Sequence, residues 1–292
     1  MQGSNRLVHR QLWRQLCGQA NHQGLEWGYQ AFGGAALDST ISIVIPAYNE
    51  SARLGRTLDR VLSFVHRQAW QAEIIVIDDG SSDCTAELVQ TYAERNPSVR
   101  LLSNPGNRGK GYSVRNGILH ANGEFILFTD ADLSSPIEEA PKLFQALEKG
   151  FDIAIGSRWV QPELQTQRQS VTRQILGRMF NGFLRLFLGL KFNDTQCGFK
   201  ALRQHSAKTI FPLQRIEGWG FDPEILFLAQ KMGFTIAEVP VLWAHDDGTR
   251  IHPFTDGAKM LTDMIQIPWN DLTGKYANDA TGRPSAVGAI QR

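Results

Sequence analysis

Cysteine is scarce in this chain: three thiols, Cys17, Cys84 and Cys197, stand at wide and irregular spacing in 292 residues. An odd number so spaced makes neither a disulfide framework nor a zinc site, and reduced thiols in a cytosolic setting are the expectation. Charge of one sign is lacking too. With 30 basic against 29 acidic residues and a formal net charge of +1, the chain offers no field to attract nucleic acid or a strongly acidic partner. No run approaches the ~20 apolar residues that span a bilayer, and the amino terminus has no apolar signal-peptide core, so a soluble or peripheral protein is expected. Internal repeats and low-complexity runs are absent. What is present is 42% hydrophobic residues, enough for the core of one large domain or two small ones.

Residues 1–38 are polar, turn Gly-rich at Gly33-Gly34-Ala35-Ala36, and read as a leader. Inside it, Leu12, Trp13 and Leu16 share one helical face and Arg6, Arg10 and Arg14 another. That is the pattern of a basic interfacial helix, or of a short helix docked on the domain or left free. From Ile41 the chain alternates. Apolar, β-rich runs at Ile41–Ile45, Glu73–Ile77, Val99–Leu102 and Phe125–Thr129 read as strands. Helical periods fall at Leu54–Val65, at Asp83–Glu94 with Ser82 or Asp83 as N-cap, and at Gly111–Ala121. A further strand is expected at Asp152–Gly156, a helix at Glu224–Lys231, and a strand at Thr235–Val239. Such alternation predicts one α/β domain over residues 39–275, with a mostly parallel sheet between two helical layers. Residues 276–292 are small and polar and are expected to be a disordered tail.

In such a sheet, ligands bind beyond the carboxyl ends of the strands. Three loops fall there: Pro46-Ala47-Tyr48-Asn49-Glu50, Asp78-Asp79-Gly80-Ser81 and Asp130-Ala131-Asp132. Two carboxylates two residues apart at a strand end point to one side, and with the oxygens of a phosphorylated ligand they make a Mg²⁺ or Mn²⁺ site. Asp130 and Asp132 are therefore the expected metal ligands of a diphosphate. Tyr48 suits stacking on a base, and Glu50 and Asp79 suit acceptance from base N–H groups or ribose hydroxyls. A bound cation there would act as Lewis acid on a departing nucleoside diphosphate.

These loops resemble the signature of the family 2 glycosyltransferases, whose fold is the GT-A α/β domain. Asp194-Thr195-Gln196-Cys197-Gly198-Phe199-Lys200 and Trp219-Gly220-Phe221-Asp222-Pro223-Glu224 narrow the resemblance to the polyprenyl-phosphate group that includes dolichyl-phosphate β-glucosyltransferases. The likeness spans about residues 41–270. It implies transfer of a hexose, glucose from UDP-glucose, to a polyprenyl phosphate with inversion, at the cytoplasmic face of a membrane. The acceptor phosphate is already an anion, so the site needs arginines rather than a strong base.

The resemblance implies roles residue by residue. Pro46, Tyr48, Glu50, Asp79, Asp130, Lys200 and Arg250 would contact the donor nucleotide, with Arg250 on a closing basic loop. Arg158, Arg168, Thr172 and Arg173 would hold the acceptor phosphate. Asp132, Arg158, Asp222 and Glu224 would be catalytic, the last two hydrogen-bonding sugar hydroxyls unless they serve only as charges at a helix start. Ser134 departs from the pattern, because mannose-using relatives carry Gln there as a further help to the metal. The membrane helices of relatives have no counterpart in this sequence, so attachment is expected at the interface through Arg6–Leu16 and the apolar stretch Phe180–Leu190. The same residues also suit GDP-mannose, a soluble sugar acceptor, or a silent nucleotide-sugar-binding protein.

Overall fold

The computed structural model describes residues 39–167, 181–182, 184–244 and 253–277. The predicted helix at Arg6–Leu16, together with Arg168, Thr172, Arg173 and Arg250, lies outside the described residues.

β-branched and aromatic runs buried on both faces make the strands that flank the crevice, Ile41–Ala47 (β1), Ala72–Asp78 (β2) and Phe125–Thr129 (β4). Val99–Ser103 (β3), Ile153–Ser157 (β5), Phe199–Arg203 (β7) and Ile236–Pro240 (β8) complete a seven-stranded sheet in the order β3-β2-β1-β4-β7-β5-β8. Its neighbours run parallel except on either side of β7, which is antiparallel to β4 and to β5. Gln165–Gln167 (β6) and Trp243–Ala244 (β9) form a separate parallel pair.

The helices are Leu54–Arg67 (α1), Thr85–Arg95 (α2), Lys110–His120 (α3), Ala140–Glu148 (α4), Gln204–Ile210 (α5), Phe221–Lys231 (α6) and Pro253–Leu272 (α7). Alternate side chains of each strand face opposite layers. Val44, Ile77, Ile126 and Phe128 pack with Val114 and Ile118 of α3, Ile210 of α5, Ile225 of α6 and Ile267 of α7. On the other face Phe125 stacks on Phe144 of α4, and Trp70 packs edge-on against Phe144 and Phe64 of α1. The result is the expected three-layer α/β/α arrangement.

β1 and β4 are adjacent, and the chain leaves them toward opposite edges of the sheet. The crevice at this switch point is where ligands bind in such folds. Because β7 runs antiparallel, its amino end lies beside the carboxyl end of β4, with Phe199 opposite Thr129. Residues Asp194–Gly198 thereby arrive next to the Asp130 tetrad.

Several boundaries differ from expectation. α2 begins at Thr85; Asp83 lies ahead of it and accepts from the Thr85 amide at 3.0 Å. α6 begins at Phe221, which places Asp222, Pro223 and Glu224 in its first turn. Phe199–Arg203 gives no strand signal because a lysine interrupts a doubly buried run. In the apolar stretch, residues 184–188 are helical, with Leu184 and Leu188 in the core and Leu186 and Phe187 outside. Tyr276, at the expected start of a tail, is instead buried. No helix of the described residues is long and apolar enough to cross a membrane.

Candidate active site

The tetrad that follows β4 is anchored at each residue. The Asp130 carbonyl accepts from the Leu133 amide at 3.1 Å, closing a tight turn that forces Leu133 to a left-handed φ of 49°. Such backbone strain in a non-glycine residue costs of order 1–3 kcal/mol and concentrates at functional sites. The buried Thr57 hydroxyl of α1 donates to the Ala131 carbonyl at 2.6 Å. The Ser134 amide donates to Asp132 Oδ1 at 2.8 Å, and the Ser134 carbonyl accepts from Ala244. Ser134 thus steadies Asp132 through its backbone.

Burial, and then the charge of Asp130, push the Asp132 carboxyl above its usual range. A divalent cation between these two oxygen donors would relieve that repulsion, and hard oxygen ligands suit Mg²⁺ or Mn²⁺. The backbone also makes room: a Cβ on Gly198 would stand 2.2 Å from Asp130 Oδ2, so any larger residue there forces this carboxylate to shift. The residues present fit the ion: Asp130 and Asp132 offer two carboxylates at this turn, and no cluster of three or more potential ligands occurs among the described residues.

Two lysines stand at the crevice and differ in kind. Lys200, on β7, has no exposed surface; its ammonium donates to Asp222 Oδ1 and to the Cys197 carbonyl, each at 2.5 Å. Both of these bonds are to groups of the protein, where the expected partner is the diphosphate. Lys110, at the start of α3, pairs with Asp130 Oδ1 at 2.5 Å and lies 5.0 Å from the ring centroid of Trp219. Burial works to lower the Lys110 pKa, but Asp130 and Asp222 outweigh it and hold it above the usual value. Asp222 is buried, and desolvation raises its carboxyl even against the two lysines.

The donor-side loops are bonded to one another. Asp79 is buried and fully engaged: its oxygens accept from the Asn104 side chain at 2.7 Å and from the amides of Arg108 and Gly109 at 3.0 and 2.8 Å. Through these bonds it shapes the loop that leads into α3. Gly80, at φ 71°, lies so close to this loop that a Cβ would meet the Gly106 backbone at 2.5 Å. Glu50 is paired with Arg53, which donates to Oε1 at 2.7 Å, and Tyr48 is 39% exposed at the mouth beyond Pro46.

On the other flank, Arg158 follows β5. Its backbone amide and Nε both bond Asp194 Oδ2, at 3.0 and 2.7 Å, and its Nη2 bonds Oδ1 at 2.8 Å. This two-point clamp fixes the plane of the guanidinium. Burial alone would raise the Asp194 carboxyl; the Arg158 charge and hydrogen bonds hold it below its usual range. Glu238 of β8 supports the pair by accepting from the Asp194 amide at 2.8 Å and the Ser157 hydroxyl at 2.7 Å. The guanidinium also lies 5.6 Å from the Trp243 ring centroid.

Glu224 is placed elsewhere than expected. It has no exposed surface, and its oxygens accept from the Tyr276 hydroxyl at 2.6 Å and from the amides of Arg215 and Ile216 at 2.9 Å. These bonds tie α6 to the chain after α7.

The structure therefore brings together Asp130, Asp132, Asp222 and Lys200, with Arg158, Tyr48 and Glu50 in the surrounding loops. It adds Lys110, Arg53, Asn104 and Asp194. Asp194 lay within a motif already singled out, whereas Lys110 carried no signal beyond its place two residues after Arg108 in a glycine-flanked turn.

The family model for glycosyl transferase family 2 matches residues 42–211. The dolichyl-phosphate beta-glucosyltransferase of Dictyostelium discoideum is 39% identical over 247 residues, covering 80% of this chain and 75% of that protein. The human protein of that name is 35% identical, with 82% and 78% covered, and that of Saccharomyces cerevisiae 34% identical, with 82% and 77% covered. Among solved structures, glucosyl-3-phosphoglycerate synthase from Mycobacterium tuberculosis, crystallised with Mn²⁺, UDP and glucosyl-3-phosphoglycerate, superposes with a TM-score of 0.59 at 20% identity, covering 79% of this chain and 80% of that one. Mannosyl-3-phosphoglycerate synthase from Rubrobacter xylanophilus gives a TM-score of 0.61 at 17% identity, covering 80% and 74%. These two share the GT-A fold. With its sheet, its crevice and relatives alike over most of their length, this chain belongs to glycosyl transferase family 2.

Proposed function

We propose that this glycosyltransferase moves glucose from UDP-glucose to the phosphate of a dolichyl-type polyprenol, with inversion at the anomeric carbon. The observation that carries the reading is the meeting, at one end of the sheet, of the Asp130–Asp132 carboxylates with the clamped Arg158–Asp194 pair. The names of relatives alike over three quarters of their length support the substrates.

Tyr48, exposed just beyond β1, flanks the base, and Pro46 is the penultimate residue of that strand. Glu50 accepts from the base or ribose while Arg53 holds its carboxylate in place. Asp130 and Asp132 would hold Mg²⁺ or Mn²⁺, whose Lewis acidity offsets negative charge gathering on the departing diphosphate. Inversion asks the acceptor phosphate to attack from the face opposite that leaving group, and this nucleophile needs no proton removed. Arg158, its plane set by Asp194, orients the acceptor phosphate, with Arg168, Thr172 and Arg173 as further proposed contacts to it and Arg250 as a proposed contact to the donor diphosphate. Asp222 organises the floor of the site through Lys200 and the field it shares with Lys110.

A polyprenyl acceptor brings the reaction to a bilayer, because withdrawing the chain costs about 0.8 kcal/mol per CH₂. The exposed Leu186 and Phe187 support peripheral contact, on the cytoplasmic side, and pelleting with anionic liposomes in a salt-sensitive manner tests it.

The decisive assay offers UDP- and GDP-sugars, with and without Mn²⁺, to a short polyprenyl phosphate and to soluble sugar acceptors. Glucose transfer from UDP-glucose to the lipid phosphate is expected, and glycosylation of soluble acceptors alone would overturn the lipid reading. Asp132→Asn is expected to abolish transfer while the fold persists; unchanged turnover in that variant refutes the metal-assisted mechanism.

A further inference from the structure

Lys110 sits where a metal site should have no cation of its own. Its ammonium contacts Asp130 Oδ1 at 2.5 Å with 14% of the side chain exposed, and Asp130 is the carboxylate around which Gly198 leaves space. The three acids of the cluster, Asp130, Asp132 and Asp222, face the two ammoniums of Lys110 and Lys200, which offset all but one of their charges. Of the two ammoniums, Lys200 is enclosed and doubly bonded, while Lys110 lies at the crevice against the half-open Trp219 ring.

A divalent cation entering at Asp130 requires a carboxylate oxygen at about 2.1 Å, a position that an ammonium on the same oxygen obstructs by size and by like charge. Lys110 is anchored by the first turn of α3, and its flexible four-carbon stem lets the ammonium move without the backbone. A cation displaced there needs a new anion, and a nucleoside diphosphate arriving with the metal supplies one.

We propose that Lys110 is the resident counter-ion of the metal site: it holds Asp130 in place at rest, yields that oxygen to the divalent cation, and takes a diphosphate oxygen in exchange, so that metal and nucleotide bind as a coupled pair. The proposal rests on the reading of Asp130 and Asp132 as metal ligands. It separates Lys110 from a fixed structural cation, whose loss would weaken metal binding or leave it unchanged.

Mn²⁺ binding to the full chain, followed by water-proton relaxation with and without UDP, tests it in wild type, Lys110→Met, Lys110→Gln, Lys110→Arg and Asp130→Asn. Without UDP, the two neutral variants are expected to bind Mn²⁺ about tenfold more tightly than wild type, within the usual range of coupling between sites. UDP should strengthen Mn²⁺ binding strongly in wild type and in Lys110→Arg, and much less in the neutral variants. Lys110→Gln keeps the test open if Lys110→Met does not fold. If the neutral variants bind Mn²⁺ no more tightly than wild type while wild type binds it with UDP, the counter-ion role is overturned and the metal reading stands. If wild type with UDP binds no Mn²⁺, or Asp130→Asn binds it equally well, the metal reading falls and takes this proposal with it.

Discussion

Replacing Lys200 with methionine separates burial from catalysis at this site. In the native chain the Lys200 ammonium has no exposed surface and pairs with a carboxylate that is itself 4% exposed. Methionine fills much the same volume, so the loss is electrostatic rather than a cavity. Removing one partner of a buried pair costs about 3–5 kcal/mol, because the other charge is left without compensation. Two features of the site place the cost at the lower end. Lys110 still acts on Asp222, and desolvation already favours the protonated acid. With a urea slope of about 3 kcal/mol/M, a loss of about 3 kcal/mol moves the midpoint by about 1 M.

The sign of the pH dependence is fixed as well. Desolvation already holds the Asp222 carboxyl above its unfolded value, and without Lys200 it rises further, so the folded variant keeps the proton to higher pH and its stability falls relative to wild type as pH rises through that interval. The deficit relative to wild type should therefore be small near pH 4 and largest at neutral pH. Urea denaturation at a series of pH values measures it. A midpoint shift below about 0.3 M at neutral pH, or a deficit that grows towards acid, would refute the account of Lys200 as a sealed counter-charge.

Two further predictions rest on single contacts. Gly198→Ala places a Cβ 2.2 Å from Asp130 Oδ2, so Asp130 must shift; Mn²⁺ and UDP binding should weaken more than thermal stability does, and calorimetric titration beside a melting curve checks this. The Asp83 carboxyl, which burial would raise, is held at about 2 against an ordinary 3.8 by bonds from Thr85 and Ser51. That depression is worth about 1–2 kcal/mol after allowance for solvent screening. Its contribution is present above the unfolded value and lost as pH falls from 3.8 towards about 2, so the stability gap between wild type and Asp83→Asn should close over that acid window in urea titrations.

The strands that flank the crevice were legible because their signals are local: an apolar run, a β-branched bias and a turn at the end. Phe125–Thr129 is read to the residue, and Asp130 and Asp132 follow from the rule that such strands end at ligands. Where a strand hides a charge, as at Phe199–Arg203, the local signal fails, because an ion pair formed with a residue 22 positions away made the lysine tolerable. The burial of Glu224 is equally invisible locally, because one of its partners is Tyr276, 52 residues further along the chain.

The sequence by itself therefore determined the fold class, the order of the loops and the two carboxylates that follow β4. Only the tertiary structure decided which lysine is sealed and which is available. Lys110 and Lys200 are the same residue in the sequence, and each stands beside glycine-rich turns. The antiparallel entry of β7 between β4 and β5 carries Lys200 under Asp222, while the Asp79-bound loop delivers Lys110 to Asp130. Electrostatic pairing depends on distances between segments far apart in the chain, and those distances exist only once the sheet has assembled.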